Sequence, residues 1–290
     1  MIAASSMFIP LAAFFWGISG GIASILMESG WDALVVSFYR GFVGFLFALA
    51  WLMLRPHHSG LANQQLWLWS ALAGLGVAGN FTFYFISIAH GSVAVAATLM
   101  YCAPVFVYLV SFAFKLERPT TAKWVAIAVV MLGIVLLTQL YEISASGLSL
   151  IGICAGLLAG LSYAVFIFGF KYAAPHGSPQ SILSIAFAVL AITLILPSDT
   201  DQVLSALGSS QWHLFLILGV LGAGLSFVLY IAGIKRTTPA LASMVAMIEP
   251  ITATLFGVAV LNESLSIIQI VGMGLILVTV TALSVTSSKA

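Results

Sequence analysis

Ten apolar runs of about twenty residues, at 6–27, 33–54, 66–89, 93–114, 121–140, 148–172, 180–197, 212–233, 238–261 and 265–285, fill almost all of this 290-residue chain. A bilayer core about 30 Å thick takes around 20 helical residues to cross, so each run predicts one membrane-spanning helix. Only 6% of the residues are charged, against roughly 25% in soluble domains, and the connections leave no room for a separate catalytic or binding domain. The first run follows no basic residue and exceeds the apolar core of a secretory signal, so it reads as a retained span. Cys102 and Cys154 both fall inside runs, with no CxxC or Cys/His spacing. That predicts packing residues, with no disulfide and no metal.

The charges orient the spans. Arg55, Lys115, Arg118, Lys123, Lys171, Lys235, Arg236 and Lys289 lie in the even connections or at the C-terminus, and Glu28, Asp32, Glu142, Asp199, Asp201 and Glu263 in the odd ones. Basic loops stay in the cytoplasm, so both termini are expected there, in a multi-pass protein of the cytoplasmic (inner) membrane.

The chain also repeats itself. At an offset of 146, Phe81 meets Phe227, Tyr84 meets Tyr230, Ile88 meets Ile234, Pro104 meets Pro250 and Glu117 meets Glu263, without a gap from Gly76 and Gly222 to the end of the fifth run. Each unit, 1–143 and 147–290, holds five spans. An odd number makes the second unit enter the membrane from the opposite side. The expected fold is therefore an all-α integral membrane protein of ten transmembrane helices, arranged as two inverted five-helix repeats around a central cavity. Two such halves can exchange conformations across a shared site, which points to alternating access.

Pro104 followed by Glu117 with Leu132-Gly133 beyond, and Pro250 followed by Glu263 with Gly272 and Gly274 beyond, resemble the paired EamA units of the drug/metabolite transporter superfamily. The chain is also similar to the bacterial aromatic amino-acid exporters within it. The resemblance implies a cavity lined by helices 1, 3, 4, 6, 8 and 9, helices 5 and 10 at the periphery, and outward transport of small metabolites. Ala126 departs from the glycine often found early in the fifth helix.

Several residues are candidates for the cavity. Glu249 lies near the middle of the ninth run, where a carboxylate costs about 2.5–3.5 kcal/mol and normally faces a cavity or a partner. Its repeat mate is Ala103, so the fold does not require it. It binds substrate or a proton, or else makes a structural hydrogen bond. Arg40, the other intramembrane charge, has three readings: a pair with Glu249, contact with backbone carbonyls or snorkelling, or a substrate carboxylate, with Glu249 meeting an ammonium. Pro104 and Pro250 kink their helices near mid-depth and predict symmetric hinges. Gly76, Asn80, Tyr84 and Ser87, matched by Gly222, Ser226, Tyr230 and Gly233, each fall on one helical face. With Trp16, Tyr101, Tyr108 and Tyr163 they supply polar and aromatic groups suited to stacking on a ring or holding an ammonium. Trp16, Asn80, Tyr84, Tyr101, Tyr163, Ser226, Tyr230 and Glu249 are thus the candidate substrate-binding set. Trp31, Trp67, Trp69, Trp124 and Trp212 read as interface anchors. Gly152, Gly156 and Gly160, and Gly17 with Gly21, read as helix contacts. Glu117 and Glu263 read as carboxylates opening new helices.

Gly17-Ile18-Ser19-Gly20-Gly21 fits GxSxG and the motif of intramembrane serine proteases, but no histidine lies within a span to serve Ser19 as base. An enzyme is not expected, nor any cofactor. Nucleotide-sugar carriage would need several cavity cations, and Arg40 is the one candidate. The expectation is a secondary-type exporter of neutral and aromatic amino acids, with lipophilic-cation efflux as the alternative. Its partners would be a small-molecule substrate and the lipid bilayer, with no nucleic acid and no obligate protein, the chain acting as a monomer.

Overall fold

A computed structural model of the protein describes residues 7–56, 58–143 and 149–287, with side chains to residue 283. Among them every regular element is helical: α1 Phe8–Glu28, α2 Ala33–Leu54, α3 Gln64–Ala89, α4 Val93–Ala113, α5 Thr121–Leu137, α6 Leu150–Ala173, α7 Pro179–Ile195, α8 Trp212–Ile234, α9 Pro239–Val260 and α10 Ile267–Ser287. Seven of these are long and apolar enough to cross a membrane, and α5, α7 and α10 (over Ile267–Leu283) are shorter apolar helices. A short helix, Thr200–Ala206, precedes α8.

Side-chain caps start the helices where the apolar runs begin, by satisfying backbone donors that have no partner inside the helix. Asp32 caps α2 and Ser178 caps α7, Ser92 caps α4 and Thr238 caps α9, and Thr120 caps α5 while Ser266 Oγ accepts from Gln269 N at the start of α10. Each of these pairs is 146 residues apart. Glu117 and Glu263 open no helix; both precede the caps. Glu117 instead pairs with Lys123 Nζ at 2.7 Å, and Glu263 N donates to Gly257 O.

Three helices are irregular. α4 and α9 are each broken in two, into Val93–Met100 and Ala103–Ala113, and into Pro239–Val245 and Ile248–Val260. The expected kinks at Pro104 and Pro250 are therefore breaks. Each proline sits in the first turn of a new helix, where its missing N–H has no intrahelical partner to lose. α8 carries a π-helical segment, Val220–Leu225.

Close packing follows the small residues, which let backbones approach. A side chain at Gly76 would meet Phe166 N at 2.6 Å, and one at Gly169 would meet Ala73 N at 2.7 Å, so α3 and α6 lie tightly together. Gly152, Gly156 and Gly160 of α6 meet His90 O, Leu99 and the carbonyls of Leu99 and Met100. Gly17 and Gly21 of α1 seat on α9 against Thr252 and Phe256, and Gly133 faces Gly272 where α5 meets α10.

The connections gather at two ends. At the acidic end the 1–2 turn is tied to the segment before α8: Trp31 Nε1 donates to Gln211 Oε1, Asp32 N to Gln202 Oε1 and Tyr39 OH to Val203 O. At the basic end the 2–3 connection meets the 6–7 turn, where Gln180 Nε2 donates to Arg55 O and Ser178 N to Ser59 O. Gly60 there has φ +75, and a Cβ would strike His176 O, so only glycine fits without strain.

Candidate functional site

A cavity of about 490 Å³ runs from the middle of the bundle to the acidic end. It is lined by α1 from Trp16 to Met27, α2 at Val36, Ser37 and Arg40, α3 from Asn80 to Phe85, α4 from Val93 to Tyr101, the end of α5 at Leu137 with Thr138 after it, and α9 from Glu249 to Leu261, with Glu263 at the mouth. Trp16, Gly17 and Glu249 sit near the middle of their helices, and the rest lie toward the acidic end. The break in α9 explains the carboxylate at its floor. Glu249 is the second residue of the segment starting at Ile248, and the positive end of that helix favours a negative charge there. Tyr163 OH donates to Glu249 Oε2 at 3.1 Å.

Arg40 is held on the facing wall by the irregular part of α8. Its Nε and Nη2 both donate to Gly222 O, at 3.2 and 3.1 Å, within the π-helical segment, and its Cζ lies 5.1 Å from the centre of the Phe81 ring. Such segments free backbone groups for outside partners. Gly222 leaves the room needed, since a Cβ there would lie 2.9 Å from Arg40 Nε and 2.5 Å from Ser19 Cβ. Arg40 and Glu249 form no ion pair; among the described residues the ion pair is Lys123 with Glu117. Nη1 of Arg40 makes no hydrogen bond among the described residues. The contact with a backbone carbonyl is thus the reading of Arg40 that this geometry matches, with part of the guanidinium still available to the cavity.

The candidate set divides. Trp16, Asn80, Tyr84, Tyr101 and Glu249 line the cavity with Arg40 and Pro250. Asn80 also donates from Nδ2 to Ala159 O at 3.0 Å, and Ser87 from Oγ to Gly152 O at 2.7 Å, so part of the α3 face binds α6. Tyr163 reaches the site through Glu249 without lining it, and Pro104 and Tyr108 are buried elsewhere. Ser226 and Tyr230 do not line the cavity. Both are fully buried, and neither hydroxyl has a partner among the described residues. Tyr230 lies in an aromatic seam below the floor, 5.0 Å from Trp16 and 6.2 Å from Phe170 between ring centres, with Tyr163, Phe166 and Phe227 completing it. That stripe of α8 packs on α1, Gly222 against Ser19 and Gly233 against Ile9. The seam closes the path from the cavity towards the basic end.

Phe81 beneath Arg40, Ser37 and Gly20 also line the site. A Cβ at Gly20 would meet nothing within 4 Å, so that glycine widens the cavity while its neighbours Gly17 and Gly21 pack. An apolar letter beside Asn80 and a third glycine in a run carry no sequence signal of this kind. Ser19 Oγ donates to Trp16 O at 2.8 Å, and the described histidines stay in connections or at helix ends, so no hydrolytic base serves it. Cys102 and Cys154 are free thiols, Cys154 exposed on α6.

A many-spanning helical bundle with a charged, aromatic-lined cavity reaching mid-depth is the architecture of a membrane transporter for small solutes. The chain belongs to the EamA-like transporter family, whose model matches it twice, over residues 4–139 and 150–285. This puts it among drug/metabolite transporters rather than enzymes. An uncharacterized transporter of Archaeoglobus fulgidus is 30% identical over 261 residues, covering 89% of each chain. The uncharacterized inner membrane transporter YedA of Escherichia coli is 27% identical, covering 90% of this chain and 84% of its own. The threonine/homoserine exporter RhtA of Escherichia coli is 26% identical over 210 residues, 70% of this chain and 66% of its own. A solved crystal structure superposes with a TM-score of 0.77 at 17% identity, covering 99% of this chain and 98% of that one, which speaks for the fold alone.

Proposed function

We propose that this protein exports neutral, bulky amino acids by alternating access. In this reading it has ten spans, in two inverted five-helix halves at 1–143 and 147–290, with both termini in the cytoplasm. The observation that carries the substrate class is the pairing of unlike charges across one cavity: a guanidinium nitrogen of Arg40 without a partner among the described residues on one wall, and the Glu249 carboxylate at the floor. A zwitterion offers each its complement, and Arg40 can fork onto a carboxylate. Trp16, Tyr84 and Tyr101 give its side chain an aromatic surface, and about 490 Å³ suits a small metabolite. The name of RhtA, a threonine/homoserine exporter, supports amino acids as the class. A lipophilic cation would fit Glu249 and be repelled by Arg40.

The acidic end is then the outer face, and the conformation described opens outwards. The breaks before Pro104 and Pro250 supply the hinges, and the chain works as a monomer without a cofactor. Counterflow in proteoliposomes tests the proposal with labelled phenylalanine, threonine and a quaternary ammonium dye. Saturable phenylalanine exchange is expected. Equal uptake by liposomes with and without the protein removes amino acids as the substrate, and exchange of the dye alone replaces them with cations.

A further inference from the structure

Lys171 stands near the basic end of α6 and spends its ammonium on three backbone carbonyls of other elements. Nζ donates to Ile234 O at 2.8 Å, Lys235 O at 3.3 Å and Thr237 O at 2.8 Å. Ile234 is the last residue of α8, and Lys235 and Thr237 lead into α9. Carbonyls at a helix C-terminus lack intrahelical donors and favour a cation. Here the cation comes from a different helix, so the contact fastens α6 to the junction of α8 and α9. It lies just beyond the aromatic seam, next to Phe170, which packs 5.4 Å from Phe227 and 6.2 Å from Tyr230 between ring centres.

The internal repeat identifies what this contact does. At the offset of 146, Ile234, Lys235 and Thr237 correspond to Ile88, Ala89 and Gly91, and α6 is the counterpart of α1. Those counterparts lie at the acidic end, and α1 carries no lysine or arginine to reach them. There α1 and α3 do not close: Ser24 and Met27 of one and Phe85 of the other line the open cavity. One set of equivalent contacts is shut at the basic end while its mate is open at the acidic end. The groups behind them follow the same division. Asn80 and Tyr84 face the cavity, whereas their mates Ser226 and Tyr230 are sealed, their hydroxyls and the nearby Trp16 Nε1 without partners among the described residues. Burying polar groups without partners is unfavourable, so the closed basic end needs an opposing hold.

We infer that Lys171 is the latch of the gate at the basic end, and that its release turns Ser226 and Tyr230, beyond Trp16, into the second polar half of the substrate path. The inference rests on the alternating-access reading above. Lys171 touches no substrate; it is a positioning residue that sets how the protein divides its time between two open states.

Two reporter cysteines test it, in a background carrying Cys102→Ala and Cys154→Ala. Ser226→Cys reports the sealed side and Ala97→Cys the open cavity, each labelled by a membrane-impermeant maleimide added to its own face of sealed vesicles. Lys171→Met is expected to speed labelling of Ser226→Cys by about tenfold or more, the shift that losing one charge-assisted hydrogen bond gives a two-state equilibrium. It should slow labelling of Ala97→Cys, and Lys171→Arg should leave both near the parent rates. Opposite movement of the two reporters is the signature of a gate. Unchanged rates overturn the latch, and so do rates that rise together, because general loosening would make Lys171 a structural cap only. Phenylalanine counterflow is scored separately. A missing labelling shift with intact counterflow removes the latch and leaves the transport reading, whereas a shift without counterflow leaves the latch and removes the amino-acid substrate.

Discussion

Arg40→Met separates a guanidinium that binds substrate from one that only braces α8. In the structure two nitrogens of Arg40 go to Gly222 O, and Nη1, in the wall of the cavity, makes no hydrogen bond among the described residues. If Nη1 meets a substrate carboxylate, the substitution removes at least one charge-assisted hydrogen bond, about 1.5–3 kcal/mol. That corresponds to a loss of roughly 10- to 150-fold in affinity. Phenylalaninamide, which keeps the ring and ammonium but has no carboxylate, should inhibit the parent and Arg40→Met alike. The assay is inhibition of labelled phenylalanine counterflow by unlabelled phenylalanine and by its amide, fitted for both proteins. Arg40→Lys should fall between them, since an ammonium keeps the charge and loses the planar fork. The reasoning fails if phenylalanine and its amide lose affinity equally. The loss would then come from an orphaned Gly222 carbonyl and a shifted α8, and Arg40 would belong to the fold.

Two further outcomes are expected. As pH falls, Glu249 takes up a proton and no longer attracts an ammonium, so the KM for phenylalanine should rise in the parent and stay flat with pH in Glu249→Gln; parallel profiles for the two proteins would make the carboxylate structural. Gly17→Ala places a Cβ 2.5 Å from Thr252 Cβ and 2.7 Å from Glu249 O, overpacking the seam of α1 and α9 at a cost of about 1–3 kcal/mol. Its thermal unfolding in detergent should fall below that of Gly20→Ala, where the added methyl meets open space, and equal midpoints would contradict the described contact.

Much of this arrangement was legible because the bilayer imposes a length and a polarity that single letters report. The apolar runs anticipated the helices to within a few residues, and Glu249 and Arg40 stood out as charges no lipid-facing helix tolerates. The paired caps, Asp32 with Ser178 and Ser92 with Thr238, were in the sequence too, but a serine or aspartate in a connection looks like any other loop residue until its acceptor contact is seen. What the pattern could not supply was the rotation of each helix. Period 3.6 groups Gly222, Ser226, Tyr230 and Gly233 on one face without saying what the face meets. The π-helical segment Val220–Leu225 changes the winding just before Ser226, and nothing in Val-Leu-Gly-Ala-Gly-Leu announces it. The stripe stays against α1 on both sides of that segment, Gly222 at Ser19 and Gly233 at Ile9, and buries Ser226 and Tyr230 there, while Asn80 and Tyr84 of the regular α3 reach the cavity. Proline signalled distortion in α4 and α9 correctly, and a full break instead of a kink followed from its place in the first turn of each second segment.

The ties at both ends bear most heavily on α2 and α7. They lie against each other, Leu190 filling the notch at Gly41 and Phe187 sharing the one at Gly44 with Ala223 of α8. Their neighbours at one rim are joined by Trp31 with Gln211 and Tyr39 with Val203, and at the other rim Gln180 reaches Arg55 O directly. A pair moored top and bottom cannot rock without tearing several polar contacts at once. In the alternating-access cycle proposed above this pair is the doorpost of the molecule, and the lipids beside it would meet the same outline in both states.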